Sequence, residues 1–165
     1  MVKAVDKSTE RLIVQSYTLA EAERVLAQTP SASDNWAPGY PFVDELAILP
    51  RFIADFRENG DPAPFGPYIV RRRSDGLAIG GLGFTGRPDA DGAVEVGYGL
   101  IPDARGHGFA TEALLAVIEI ARGAGALIVR ADTAVENVRS QNVLLKCGFR
   151  EVEWSADAVF FKRVL

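Results

Sequence analysis

The residues whose types and spacing suit chemistry are Arg105-Gly106-His107-Gly108-Phe109-Ala110-Thr111. An alternating apolar stretch from Val94 leads into them, and a helical pattern with apolar residues at Ala110, Leu114, Val117, Ile118 and Ala121 leads out. Strand, glycine loop and helix start, in that order, make an anion site. The amides of a first helical turn lack carbonyl partners, and the aligned peptide dipoles place partial positive charge there. Gly106 and Gly108 let the backbone approach a bulky anion with no Cβ in the way, and Arg105 adds a full charge. A diphosphate suits such a cradle.

The identity of that diphosphate is narrowed by what the loop lacks. A nucleotide P-loop requires Gly-Lys-Ser/Thr at the helix start, and Gly108-Phe109-Ala110-Thr111 has no lysine. A Rossmann fingerprint requires a third small residue where Thr111 stands. The pattern present is Arg-x-x-Gly-x-Ala, spelled by Arg105 to Ala110. It resembles the acetyl-CoA loop of the GNAT acetyltransferase superfamily, in which backbone amides at a helix start bind the coenzyme A pyrophosphate.

The elements that must position this loop follow from periodicity and breakers. Arg11 to Tyr17 reads as a first strand, and Thr18-Leu19-Ala20-Glu21 matches a capping box opening a helix to about Gln28, before Thr29-Pro30. The segment from Ser31 to Pro41 holds Pro38, Gly39 and Pro41 with two exposed-type aromatics, Trp36 and Tyr40, and reads as an ordered loop. Asp44 to Arg57 is helical by the spacing of Leu46, Leu49, Ile53 and Phe56, with Pro50 starting a new turn or bending it. Tyr68 to Arg73 and Leu77 to Phe84 form a hairpin through Ser74-Asp75-Gly76, and Gly80, Gly81 and Gly83 point to a bulge or close backbone approach. Gly86 to Gly92 turns back into the Val94 strand. Gly123 and Gly125 end the central helix. Leu127 to Ala131 reads as a short, continuously apolar buried strand, Val138 to Lys146 as a helix with Gly148 as its left-handed cap, and Phe149 to Trp154 and Val159 to Val164 as closing strands. The order implies an α/β fold, a mixed sheet with covering helices.

Composition bounds the partners. The chain has 165 residues, 48% of them hydrophobic, which predicts one domain over 1–165 with a real core. A net charge of −4 argues against nucleic acid. The single cysteine, Cys147, excludes an intrachain disulfide and gives no metal spacing, so no metal is expected. The N-terminal stretch has no apolar leader core and no run approaches membrane-span length, so no membrane partner and a cytoplasmic location are expected. There is no internal repeat or low-complexity tract.

A second group of residues extends the resemblance. Asn137-Val138-Arg139-Ser140, followed by Lys146-Cys147-Gly148-Phe149, looks like the Asn-x-x-Ser…Lys-x-Gly-Phe signature of the ribosomal-protein N-acetyltransferase-like (RimJ/RimL-like) branch of GNAT, and Thr9-Glu10-Arg11-Leu12 resembles that branch as well. The resemblance implies a GNAT-like, mostly antiparallel sheet whose central strands, Val94 to Leu100 and Leu127 to Ala131, splay apart, with helices on both faces. It further implies acetyl-CoA as co-substrate. Its pyrophosphate would lie on Arg105, Gly106, His107, Gly108, Phe109, Ala110 and Thr111, and its pantetheine arm on strand-edge groups of Leu100 and Ile101, with Asn137 and Ser140 nearby.

In that family an amine attacks the thioester directly, so alignment of two reactants and a backbone donor supply most of the rate. The amine must lose a proton. Glu95 alternates with Val94 and Val96, and the resemblance implies it as base; as a strand residue alone it is equally the polar position of a half-exposed face. Many relatives carry a tyrosine where Leu144 stands. Ser140, one turn earlier, is implied as a hydrogen-bond donor to the coenzyme sulfur, a thiolate being a fair leaving group unaided. Asn137 either orients the pantetheine amide or caps the helix. Trp36 and Tyr40 are either acceptor-pocket residues or packing anchors. His107 reads as solvent-exposed, Cys147 as a small core residue and Arg71-Arg72-Arg73 as a solvated edge. The expected activity is N-acetylation of a small-molecule or peptide primary amine, with a possible homodimer by analogy. The alternatives are transfer of a longer acyl group and a silent acyl-CoA-binding sensor.

Overall fold

The computed structural model describes residues 6–165. A two-residue strand, β1 (Lys7–Ser8), precedes β2 (Leu12–Ser16), whose alternation turns Leu12, Val14 and Ser16 inward. The capping box forms as expected: Glu21 N–H donates to Thr18 Oγ1 at 3.2 Å and Thr18 N–H donates to Glu21 Oε2 at 2.9 Å, opening α1 (Leu19–Ala27). The next helix, α2 (Val43–Asn59), runs unbroken through Pro50 and buries Glu45, Leu49, Phe52 and Ile53. Of the two expected effects of Pro50, a new turn or a bend, the new turn does not occur. A proline removes one backbone donor, and burial of a long apolar face outweighs that loss.

Three antiparallel strands follow, β3 (Pro67–Arg72), β4 (Ala78–Phe84) and β5 (Ala93–Leu100). A short 3-10 turn at Pro102–Ala104 leads to α3 (Phe109–Gly123), then β6 (Ile128–Ala134), α4 (Val138–Lys146), β7 (Arg150–Trp154) and β8 (Ala158–Val164). Among the described residues, eight strands join one sheet in the order β1-β2-β3-β4-β5-β6-β8-β7. Neighbours are antiparallel except β5 and β6.

The β5–β6 pairing is brief. Ala93 pairs with Ile128, Val94 with Val129 and Glu95 with Arg130. Beyond Glu95, β5 remains hydrogen-bonded to β4 as far as Leu100, while β6 remains paired with β8 as far as Ala134. Their facing edges therefore separate, which is the expected splay.

Helices hold the two sides in place. α3 buries Leu114, Val117, Ile118 and Ala121 and packs against β2, β4 and β5, each large side chain contributing about 2 kcal/mol. α1 and α2 pack on one another. Every residue of β4 is buried, and its glycines are needed there: a Cβ at Gly80 would stand 2.3 Å from the Gly99 carbonyl oxygen, and one at Gly83 2.5 Å from that of Gly66.

Elsewhere the structure departs from the sequence reading. β1 is too short to show a period. β6 extends to Ala134 and alternates buried with exposed residues instead of being continuously buried; Leu127 is 60% exposed. Arg71 and Arg72 do not form a solvated edge, because β3 lies inside the sheet between β2 and β4; Arg73, just past the strand, is exposed as expected. Arg71 is half-buried, its Nε donating to Gln15 Oε1 at 2.8 Å and its Nη1 to the Asp34 carbonyl at 2.7 Å.

Candidate active site

The glycine loop has the conformation that its composition demands. Gly106 and Gly108 have φ of +81° and +80°, and a Cβ at Gly106 would enter open space in front of the loop. Intrahelical hydrogen bonding in α3 starts with the Glu112 N–H, which donates to the Gly108 carbonyl at 3.1 Å, so the amides before it, through Thr111, have no partner one turn back. Arg105 and His107 are exposed beside them. Arg105 Nε donates to the Leu100 carbonyl at 3.0 Å, fastening the loop to the end of β5.

Arg11 braces the loop from the other side. Its Nη1 donates to the His107 carbonyl at 2.8 Å, its guanidinium lies 4.6 Å from the Phe109 ring centre, and its Nε pairs with Glu112 Oε2 at 2.8 Å. Glu112 Oε1 also accepts from Thr9 Oγ1 at 2.5 Å and from the Arg11 N–H at 2.8 Å. These donors hold the Glu112 carboxyl below its usual range against the opposing effect of burial. The Thr9-Glu10-Arg11-Leu12 motif thus has a mechanical role that the sequence left unassigned.

The separated strands expose a particular backbone. Glu95 O accepts from the Thr85 N–H and the Ile101 N–H donates to the Ile79 carbonyl, so odd-numbered residues of β5 address β4. Alternation then points the N–H and C=O of Tyr98 across the gap toward β6. At Leu100 and Ile101 much of the backbone is engaged already: the Leu100 carbonyl by Arg105, the Ile101 N–H by Ile79 and the Ile101 carbonyl by the Ala104 N–H.

The Tyr98 side chain leaves on the face opposite Glu95 and reaches α4. Tyr98 Oη donates to the Ser140 carbonyl at 3.1 Å and lies 2.7 Å from Ser140 Oγ; burial pushes the phenol up to about 12, with the serine bond opposing. Asn137 caps α4, its Oδ1 accepting from the Ser140 N–H at 3.1 Å. Leu144 is fully buried.

On the other face, α2 and the β4–β5 pair enclose a cleft of about 690 Å³. Its floor is the glycines Gly81, Gly83, Gly97 and Gly99, and Phe42, Phe52, Phe65 and Phe84 give its walls an aromatic character. A Cβ at Gly99 would stand 2.0 Å from the Phe42 ring, and one at Gly81 2.7 Å from Glu45 Oε1. Glu45 is 4% exposed. Its Oε2 accepts from Tyr17 Oη at 3.1 Å, and Tyr17 Oη lies 2.8 Å from Tyr40 Oη. Burial raises the Glu45 carboxyl to about 7, against the lowering effect of the tyrosine hydroxyls.

The remaining sequence candidates separate from one another. Glu95 is exposed and lies opposite Arg130 in a polar recess with Arg51, Arg87 and Asp89, which adjoins the cleft through Arg51 and Arg87. Trp36 and Tyr40 pack edge to face at 5.6 Å, outside the residues lining the cleft, and Tyr40 is buried, not exposed. Cys147 is buried and its thiol is pushed up to about 11 by desolvation, consistent with a core role. Sequence reasoning missed Glu45, which reads as an ordinary first-turn acid, and Tyr98, whose signal was its place between two glycines.

A model of acetyltransferase (GNAT) domains matches residues 11–150. The chain belongs to the GNAT acetyltransferases. Among similar proteins, it is 28% identical over 111 residues to the uncharacterized N-acetyltransferase YjdG of Bacillus subtilis (strain 168), a match covering 67% of this chain and 66% of the relative. The fold of this GNAT chain is similar to a GNAT-family acetyltransferase from Bacillus anthracis, with a TM-score of 0.69 at 20% identity over 97% of this chain and 98% of that one. It is also similar to Mycobacterium smegmatis RimJ in complex with CoA-disulfide, with a TM-score of 0.66 at 19% identity over 93% of this chain and 81% of that one. The mixed, mostly antiparallel sheet with its covering helices is therefore the fold of the family.

Proposed function

We propose that this GNAT chain transfers the acetyl group of acetyl-CoA to a primary amine by direct attack with both reactants bound. The observation that carries the reading is the meeting of two openings at one strand: Tyr98 presents a free backbone edge toward β6, while Gly97 and Gly99 floor the cleft under α2. A thioester laid on that edge and an amine seated in the cleft approach one another across β5 alone. The RimJ neighbour, solved with a coenzyme A disulfide, supports the same choice of ligand.

The residues present fit coenzyme A. The positive-φ glycines open a cradle that a Cβ would fill, and the unpartnered amides from Gly108 to Thr111 face it, with Arg105 and Arg11 adding charge. Bound there, acetyl-CoA supplies an activated acyl group. The pantetheine arm lies along β5, with the Tyr98 amide extending the contacts assigned to Leu100 and Ile101. With Tyr98 Oη sharing its proton between the Ser140 carbonyl and Oγ, and Asn137 capping the turn, the Ser140 hydroxyl is left to donate toward the sulfur. Glu95 supplies a carboxylate at the outer end of the cleft, where it draws in the cationic amine and passes protons to solvent. Tyr40 supports the cleft from behind through Tyr17, and Trp36 packs on Tyr40. This economy of side chains suits a reaction driven by alignment.

The test is release of free coenzyme A thiol from acetyl-CoA with a panel of primary amines: an arylalkylamine, a peptide with a free N-terminus and a polyamine. Turnover with at least one is expected. The buried Leu144 offers no hydroxyl to a departing thiolate, which favours the silent binder as the second reading. Thermal stabilisation by acetyl-CoA without thiol release from any amine would establish that reading instead.

A further inference from the structure

We propose that the acceptor amine is seated against Glu45 on the Gly81–Gly99 floor of the cleft, and that Glu45 Oε1 takes its proton. This inference deepens the acetyltransferase reading and rests on it. Glu45 Oε1 has no hydrogen-bond partner among the described residues, although the side chain is more than nine-tenths buried. Its other oxygen is fixed by Tyr17, so the free one has a defined direction: toward the Gly81 backbone, where a Cβ would stand 2.7 Å away. Gly81 is paired with Gly99, next to the Tyr98 edge. The carboxyl thus lies over β4, next to β5, the strand whose far edge takes the thioester; the two strands are about 5 Å apart. Glu95 lies three residues along β5 from Tyr98, roughly 10 Å away at strand rise.

A buried carboxyl with one oxygen unsatisfied is costly unless a ligand completes it. A primary ammonium is the complementary group, bringing both positive charge and N–H donors. Phe52, Phe65 and Phe84 suit an acceptor whose amine is carried on an apolar body. Phe42, whose ring covers Gly99, stands at the inner end and must turn aside as the amine enters.

The proton balance is simple. One proton passes from the ammonium to ionised Glu45 and on to solvent after turnover. The neutral amine then forms a bond to the acyl carbon as the carbon–sulfur bond breaks, and its second proton ends on the coenzyme thiol. Such a base works best with a pKa close to the operating pH, and burial has moved Glu45 to about 7. The groups that face or share its surroundings are the Tyr17 and Tyr40 hydroxyls behind it, Asp44, Arg51 and Asp55 of its own helix, and Arg87 from the turn before β5.

The experiment measures thiol release against pH with the best amine of the three-member panel, for the wild type, Glu45→Gln and Glu95→Gln. Wild-type kcat/KM is expected to rise with pH through a limb near 7. In Glu45→Gln it falls on the order of 100-fold and the limb disappears, while thermal stabilisation by acetyl-CoA is unchanged. Methoxyamine, an amine already neutral at assay pH, regains activity with Glu45→Gln relative to the alkylamine. Gly81→Ala, which sets a methyl group 2.7 Å from Oε1 and displaces it, lowers kcat/KM at least tenfold and decides the matter if Glu45→Gln does not fold. Wild-type kcat/KM and an intact limb in Glu45→Gln, or unchanged kcat/KM in Gly81→Ala, overturn the inference alone. A wild-type protein that releases no thiol with any amine overturns the acetyltransferase reading together with it.

Discussion

Tyr98 Oη and Ser140 Oγ stand 2.7 Å apart, tying the open edge of β5 to the first turn of α4. One residue offers its backbone across the gap and its side chain to the helix beyond. The pair therefore sets both the height of the pantetheine groove and the direction of the serine hydroxyl. Ser140→Ala and Tyr98→Phe are each expected to lower kcat several-fold while costing about 1 kcal/mol of stability. Because the two groups act as a unit, the double variant should lose little more than either single one, which a double-mutant cycle on kcat measures.

Gly108 has φ of +80°, and its Cβ would stand 3.3 Å from Arg11 Nη2. Gly108→Val is expected to cost about 1–3 kcal/mol in stability from backbone strain. It also removes close approach to the loop amides. The wild type should gain roughly 2.7 kcal/mol of folding stability at a hundredfold excess of acetyl-CoA over Kd, and the variant none. Calorimetric melts with and without the coenzyme provide the comparison.

Arg11 is the strap over this loop, through His107, Phe109 and Glu112. Arg11→Ala is expected to weaken acetyl-CoA binding about tenfold while the half-exposed ion pair itself contributes no more than about 1 kcal/mol to folding. Isothermal titration at two salt concentrations checks this, since loss of a cation near the diphosphate also flattens the salt dependence.

Glu45 makes stability depend on pH in a definite direction. Its ordinary value is 4.5 and its folded value about 7, so between these the folded state binds more protons than the unfolded one. Stability is therefore highest below pH 4.5 as far as this group is concerned, declines through the window and levels off above 7. The decline amounts to about 3 kcal/mol. Glu45→Gln is expected to abolish it and to be more stable than the wild type at pH 8, as urea midpoints at pH 5 and pH 8 would show.

What was legible in the sequence had a local cause. The capping box at Thr18, the glycines of the α3 loop and the bounds of α4 follow from neighbouring residues, and each forms as read. The splay of the central strands came from the family resemblance, and the register bears it out. The depth of a residue in the sheet was not legible: Arg71 reads as an edge residue because nothing local says that β2 and β4 flank its strand. Glu45 was invisible for the same reason. An acid in a first helical turn is ordinary, and its significance arises from Tyr17 and Gly81, distant in sequence and adjacent in space. Tyr40 shows the converse, an aromatic in a breaker-rich loop that is buried by a hydroxyl chain.

Among the described residues, three residue pairs join β5 to β6, a short seam between the two parts of the sheet. A pantetheine arm stretched along Tyr98 would act as a suture there, lengthening the seam with bonds that the polypeptide does not supply. Loading the donor would then stiffen the enzyme as well as fill it, and amide deuterium uptake at Tyr98 would slow on addition of coenzyme A before any acceptor arrives.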